Sequence, residues 1–277
     1  MRFTKMHGAG NDYVYVDAFD GAVADGPALA RRVSDRHKGI GGDGLILLAP
    51  PARGGADVRM IMYNADGSRA QMCGNGIRCL ARLARDRGRA ASDRVRVETD
   101  SGVRTVELLP EGARVDMGVP SFDPRSLPAR FDLPRVVEHP VRVLDRELRI
   151  TCVSMGNPHV VVFVEGRGEE WDVERYGRAL ETDARFPERT NVEFVEVIDR
   201  ATVRQRTWER GSGETLACGT GACAVCAAGV VTGRTANRIT NRLRGGDLVL
   251  EWDGKASLFM TGEAVYVFEG EWRGDGV

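Results

Sequence analysis

The chain has 277 residues, 42% apolar and 29% charged, enough for one large domain or two ordinary ones with a full core. Its 39 basic and 40 acidic residues are interspersed and leave a net charge of −1, which argues against the one-signed stripe of a nucleic-acid binder. No apolar run approaches a membrane span and Met1–His7 has no apolar signal core, so a cytoplasmic protein with six reduced cysteines is expected.

In chain order, alternating and β-branched residues predict a strand over Tyr13–Val16, then a helix over Pro27–Val33 with its proline near the start. A glycine-rich loop, Gly39 to Gly44, leads into the strand-like run Leu45–Leu48. It matches the G-x-G-x-x-G spacing of dinucleotide sites, but a strand follows where that motif needs a helix. Next come a strand over Val58–Tyr63, a helix over Gly74–Asp86, and strands over Val95–Thr99 and Thr105–Leu108. The Pro-rich segment Met117–Pro134 reads as a linker. Beyond it the pattern predicts strands over Val160–Val164 and Val192–Val197 around a helix over Trp171–Thr182. A helix over Gly219–Val231 and strands over Leu248–Trp252 and Val265–Phe268 complete the chain. The expectation is a mixed α+β fold of two similar halves, each with many strands and one central helix, and a cleft between them.

Three features recur in the same order in both halves. Cys73 in Met72-Cys73-Gly74-Asn75-Gly76 and Cys218 in Ala217-Cys218-Gly219-Thr220-Gly221 lie 145 positions apart, each opening a predicted helix. Asn64 and Glu209 each sit nine residues before their cysteine, after an aromatic residue and before a Gly/Ser turn. Gly10-Asn11-Asp12-Tyr13 echoes Gly156-Asn157-Pro158-His159. Such a set indicates a duplicated unit.

A thiol at a helix start faces unpaired backbone N–H groups and the positive end of the helix dipole, which favour the thiolate. Two thiols in matched settings suit an acid/base pair acting on opposite faces of one carbon. One removes a proton as thiolate and the other returns one as thiol, which inverts configuration. Two helix N-termini aimed at an adjacent carboxylate would stabilise the carbanion without a cofactor. Cys79, Cys223 and Cys226 have the helical spacing of core packers, and no second close pair supports a zinc site, so no metal is expected. Asn11, Asn64, Asn75 and Asn157 fall on turns that could line a polar cleft. Arg210 suits a carboxylate clamp, and His159 fits a core position and a site equally well.

Six stretches together resemble the diaminopimelate epimerases along essentially the whole chain. They are His7–Tyr13, Asn64–Ser68, Met72–Cys79, Gly156–His159, Asn191–Phe194 and Trp208–Gly221. The resemblance implies interconversion of L,L- and meso-diaminopimelate for lysine and cell-wall synthesis, by a cytoplasmic homodimer without cofactor. Cys73 and Cys218 are then the acid/base thiols, tuned by His159 and Glu209. Asn11, Asn64, Asn157, Asn191, Glu209 and Arg210 hold the substrate's polar groups. Main-chain groups of Gly74-Asn75 and Gly219-Thr220 cradle the reacting carboxylate. Gly44 stands where some members carry a substrate-contacting glutamine, and it offers only backbone. The implied fold is two pseudo-symmetric halves, each a curved, mostly antiparallel sheet around its helix: residues 1–117, completed by 263–277, and residues 118–262. Two rival readings are a proline or hydroxyproline racemase of the same fold and a non-catalytic thiol redox sensor. Asn75, where proline racemases typically carry histidine, disfavours the first.

Overall fold

The computed structural model describes residues 1–19, 21, 23–166 and 170–274. The fold is mixed α/β, mostly sheet with four α-helices among the described residues. The chain divides into two compact units, Met1–Val115 with the stretch from Thr261 onward, and Asp116–Met260.

In the first unit, β1 (Arg2–Gly8) and β2 (Asn11–Asp17) form an antiparallel hairpin whose turn puts Ala9 and Gly10 at positive φ. Helix α1 (Gly26–Ser34) starts where Asp25 accepts from the Ala28 N–H, with Pro27 in its first turn. Strand β3 (Gly44–Ala49) runs parallel to β2, and β4 (Val58–Asn64) antiparallel to β3. After the short β5 (Arg69–Ala70), α2 (Gly74–Asp86) begins at Cys73. Strand β6 (Arg94–Thr99) lies parallel to β4 and antiparallel to β7 (Gly102–Leu109), and β8 (Gly112–Gly118) carries the chain across the unit boundary.

The second unit repeats this plan. Strand β9 (His139–Val143) pairs with β10 (Arg146–Ser154), which pairs with β11 (Pro158–Val164). Helix α3 (Val173–Glu181) follows, then β12 (Asn191–Asp199) parallel to β11, and β13 (Thr202–Glu209) antiparallel to β12. The short β14 (Gly213–Thr215) leads to α4 (Gly219–Val231). Strand β15 (Arg238–Leu243) lies parallel to β13 and antiparallel to β16 (Gly246–Glu251), and β17 (Leu258–Gly262) leaves the unit. Finally β18 (Val265–Glu271) pairs antiparallel with β1, the place that β9 takes against β10.

Each central helix is the core of its own unit. Helix α2 packs on β1, β2, β3, β6 and β7, and α4 on β10, β11, β12, β15 and β16. Because strands surround α4, its residues from Ala222 to Ala228 are all fully buried. They include Cys223 and Cys226, which serve as the small apolar packers their spacing suggests. Helix α3 starts two residues later than the sequence pattern indicates, because Asp172 takes the N-cap position and its side chain accepts from the Arg175 N–H. The Pro-rich stretch packs within the second unit: Leu127 joins its core and Phe122 stacks on Trp252 with centroids 6.1 Å apart.

Candidate functional site

Both cysteines take the N-cap position of a 13-residue helix in extended backbone conformation. Cys73 Sγ accepts from the Gly76 N–H at 3.4 Å, and Cys218 Sγ accepts from the Gly221 N–H at 3.3 Å. Each sulfur therefore satisfies one orphan donor of its helix and sits at the positive end of the dipole. Because the helices begin at Gly74 and Gly219, the first-turn N–H groups of Gly74, Asn75, Gly219 and Thr220 have no helical carbonyl one turn back, as in helix-terminal anion sites.

Around Cys73 the first unit gathers a phenol and a buried amide network. The Tyr13 hydroxyl lies 3.4 Å from Sγ. Asn75, almost fully buried, donates to Asn11 Oδ1 at 2.6 Å, and its own Oδ1 accepts from Arg78 at 3.0 Å. Asn11 in turn donates to Asp43 at 3.2 Å. Arg78 is fully buried, and its guanidinium also donates to the carbonyls of Gly74 at 3.1 Å and Glu263 at 3.0 Å. The side chain of Asn75 is thus committed to holding the helix start, leaving its main chain for a ligand. Asn64 ends β4 exposed and donates to Ser68. Gly44 faces it across the ladder, where an added Cβ would lie 2.2 Å from the Tyr63 carbonyl oxygen, so this backbone accepts glycine only.

The second unit surrounds Cys218 with a chain of polar groups. Thr220 Oγ1 is 3.5 Å from Sγ and accepts from Asn157 Nδ2 at 3.2 Å. Asn157 Oδ1 is 3.0 Å from His159 Nε2, and Nδ1 of that fully buried ring is 2.9 Å from Glu193 Oε1. His159 is therefore a buried residue and a neighbour of the site at once. Thr215 donates to Glu209 at 2.5 Å. Burial pushes the Glu209 carboxyl above its ordinary value, with Glu193 adding to this and Thr215, His159 and Cys218 opposing it. Burial likewise pushes the Cys218 thiol well up, reinforced by the charges of Glu209 and Glu193 against the donors Thr220 and Gly221. Asn191 spends one amide hydrogen on the Pro158 carbonyl at 3.0 Å, and its Oδ1 accepts from the Arg210 N–H at 2.9 Å. Arg210 is exposed, with one nitrogen donating to the Glu188 carbonyl at 3.0 Å.

In the first unit Asn75 bonds Asn11 beside the Cys73 helix start, and Gly44 pairs with Asn64 and with Tyr13, whose hydroxyl reaches Cys73. In the second, hydrogen bonds link His159, Asn157 and Thr220 toward Cys218, while Asn191 pairs with His159 and bonds the Arg210 N–H. Sequence reasoning missed Tyr13, Arg78 and Glu193 as neighbours of the thiols. For Glu193 the available signal was a carboxylate flanked by Val192 and Phe194 in the buried part of a Val-rich strand. Among the described residues, His159, Glu193 and Cys218 are the donors close enough to share an ion, within 4.8 Å of one another. The ring nitrogen and carboxylate face each other at hydrogen-bond distance, 2.9 Å.

The family profile described as diaminopimelate epimerase matches residues 3–122 and 151–267. Diaminopimelate epimerases of Desulforudis audaxviator and Acetivibrio thermocellus are 50% and 48% identical, over 98% of this chain and 99% and 98% of theirs. A diaminopimelate epimerase of Methanococcus maripaludis is 45% identical over 98% of this chain and 99% of its own. Among solved structures, a PhzF-family phenazine biosynthesis protein of Bacillus anthracis matches with a TM-score of 0.69 at 18% identity, covering 98% of both chains. A probable proline racemase of Agrobacterium radiobacter matches with a TM-score of 0.69 at 16% identity, over 99% of this chain and 93% of its own. At such identities the structural likeness shows a shared fold alone. Near half identity along the full length, with the family profile on both units, decides the assignment: the chain belongs to the diaminopimelate epimerase family.

Proposed function

We propose that this protein is an isomerase that interconverts L,L- and meso-diaminopimelate by two-base epimerisation without added cofactor, for lysine and peptidoglycan-precursor biosynthesis in the cytoplasm. The observation that carries this reading is the pair of cysteine N-caps, each sulfur held by the N–H of the third residue of its helix. In one direction a thiolate takes the α-hydrogen as a proton, and the electron pair is delocalised into the neighbouring carboxylate. The opposite thiol then gives its proton to the other face of the same carbon. The two cysteines end with exchanged protonation states and return to the start by proton exchange with solvent. Turnover requires both thiols, one on each face of the same α-carbon.

The other roles follow the same reading. First-turn N–H groups of Gly74-Asn75 and Gly219-Thr220 receive the carboxylate, where helix ends contribute up to about 2 kcal/mol each toward negative charge. His159 and Glu209 adjust the Cys218 thiol. Asn11, Asn64, Asn157, Asn191 and Arg210 bind the polar groups of the substrate, and Gly44 contributes backbone. A homodimer is part of the proposal, supported by the exposed apolar residues Val265, Tyr266, Val267 and Phe268 on β18.

The test is incubation of reduced protein with L,L-diaminopimelate in deuterium oxide. Meso product with one solvent-derived deuterium at a single α-carbon is expected. Folded, reduced protein that gives neither isomer nor exchange overturns the reading.

A further inference from the structure

Glu193 is a buried carboxylate without a role in the mechanism above. It has no solvent exposure, and its Oε2 finds no hydrogen-bond partner among the described residues. Burying such a group is costly, and an apolar residue of similar size in its place is often neutral or stabilising. The duplicated unit supplies that comparison within this molecule. Parallel pairing sets Tyr15 beside Ile46 in the first unit and Val161 beside Glu193 in the second, each two residues beyond the matched pairs Tyr13–Gly44 and His159–Asn191. A Cβ on Gly76, at the third position of α2, would meet Ile46 Cδ1 at 2.6 Å and Met60 Cε at 3.2 Å. A Cβ on Gly221 of α4 would meet Glu193 Oε1 at 2.5 Å and Gln205 Nε2 at 3.2 Å. The same space under the two helix starts is therefore apolar in one unit and holds a carboxylate and an amide in the other.

Donor directions show what the carboxylate does. Thr220 Oγ1 accepts from Asn157 Nδ2, so its hydroxyl hydrogen is free for the Cys218 sulfur. Asn157 then turns its carbonyl oxygen toward His159, which requires a hydrogen on Nε2. The opposite ring nitrogen shares a proton with Glu193 Oε1 at 2.9 Å. We propose that Glu193 is a positioning residue for the Cys218 half-site. By holding Nδ1 of His159 it fixes the ring with Nε2–H toward Asn157, so that successive donors all run toward the Cys218 sulfur. This role rests on Cys218 acting as an acid/base group.

Two measurements on the full-length protein test it. The first is ring-nitrogen NMR of histidine-labelled protein at pH 7.5, with the signal of His159 among the four histidines assigned through His159→Gln. A hydrogen on Nε2 in the wild type is expected, and a bare Nε2 with hydrogen on Nδ1 alone overturns the proposal. The second is steady-state kinetics. Glu193→Ala is expected to lower kcat about 30-fold or more with KM within about 3-fold, while Glu193→Gln, whose amide can donate to Nδ1, recovers kcat to within about 5-fold. Combining Glu193→Ala with Thr220→Val should cost no more than the worse single variant, because both interrupt one chain. Near-normal kcat in folded Glu193→Ala, or equal loss in the Ala and Gln variants, overturns the proposal. Should Glu193→Ala fail to fold, the wild-type ring spectrum and Glu193→Gln decide it. A wild type that exchanges no α-hydrogen sinks the epimerase reading itself, whatever the ring spectrum shows.

Discussion

Replacing Gly221 with alanine separates the two half-sites most sharply. The added methyl would lie 2.5 Å from Glu193 Oε1 and 3.2 Å from Gln205 Nε2, both on buried side chains. Restoring ordinary contact displaces the carboxylate or the first turn of α4 by roughly 1 Å, since a packed interior offers little free space. A shift of that size breaks the 2.9 Å contact to His159, and a hydrogen bond to a charged group is worth about 1.5–3 kcal/mol. Alanine returns up to about 1 kcal/mol through helix propensity, so the net loss expected from urea unfolding is about 0.5–2 kcal/mol. The larger effect is on activity: misplacement by 1 Å can cost about 100-fold, and kcat should fall by about 10- to 100-fold. Gly76→Ala is the matched control. Its methyl would meet the ends of Ile46 and Met60, which can rotate away, and would rest at ordinary contact distance, 3.6 Å, from Cys73 Cβ, so stability should fall while kcat stays within about 3-fold. The assay is conversion of L,L-diaminopimelate at saturating substrate, with urea unfolding of both variants. Equal kcat losses in the two variants, or no loss in Gly221→Ala, would refute the reasoning.

Cys73→Ala and Cys218→Ala should each lower epimerisation by at least about 1000-fold while the protein remains folded, and a variant with near-normal turnover would remove that thiol from the mechanism. Glu209→Gln removes a negative charge that raises the Cys218 thiol, so the pH midpoint of Cys218 alkylation, followed by peptide mass spectrometry, should move down; an unchanged or higher midpoint contradicts this. Burial pushes the Asp12 carboxyl up, but Arg36 and buried Lys5 more than offset this and hold it below its ordinary value. Its stabilisation is therefore complete above the unfolded value near 4 and is lost as pH falls through the lower folded value. Asp12→Asn should cost about 2–4 kcal/mol at pH 7 in urea unfolding, with a smaller deficit at pH 3; a loss independent of pH would count against the ion pair. Arg210→Met should raise KM for diaminopimelate by about 10-fold or more with the alkylation of both thiols unchanged, and an unaltered kcat/KM would exclude Arg210 from substrate binding.

Much of the fold was legible because local signals agreed. Helices α2 and α4 begin where Cys-Gly-x-Gly turns place them, and their ends fall at Asp86 and Val231 as the residue pattern indicates. Other elements were hidden by polar residues that only tertiary partners make burial possible for. Strand β1 buries Thr4 and Lys5, the latter because Asp12 and the Gly41 carbonyl receive its ammonium group, so no apolar alternation marks it. Strand β15 buries Asn241 against Gln205 at 2.5 Å, so its interior carries a polar residue where an apolar one would mark a strand. At the site, the chemistry-bearing residues lay on repeated turns and could be named. Tyr13, Arg78 and Glu193 lie inside regular elements, where periodicity gives the face a side chain occupies but not the partner it meets there.

The sequence by itself determined the duplicated plan, the paired cysteines and the family. All of these rest on residue identity at fixed spacing, which survives whatever the side chains touch. Only the tertiary structure decided which side chains lie beneath each helix start. Matched backbones place Ile46 and Met60 beneath one helix start and Glu193 and Gln205 beneath the other. That difference arises where strands and helix converge, because hydrogen bonding and desolvation depend on the neighbours each group acquires on folding and not on its neighbours along the chain.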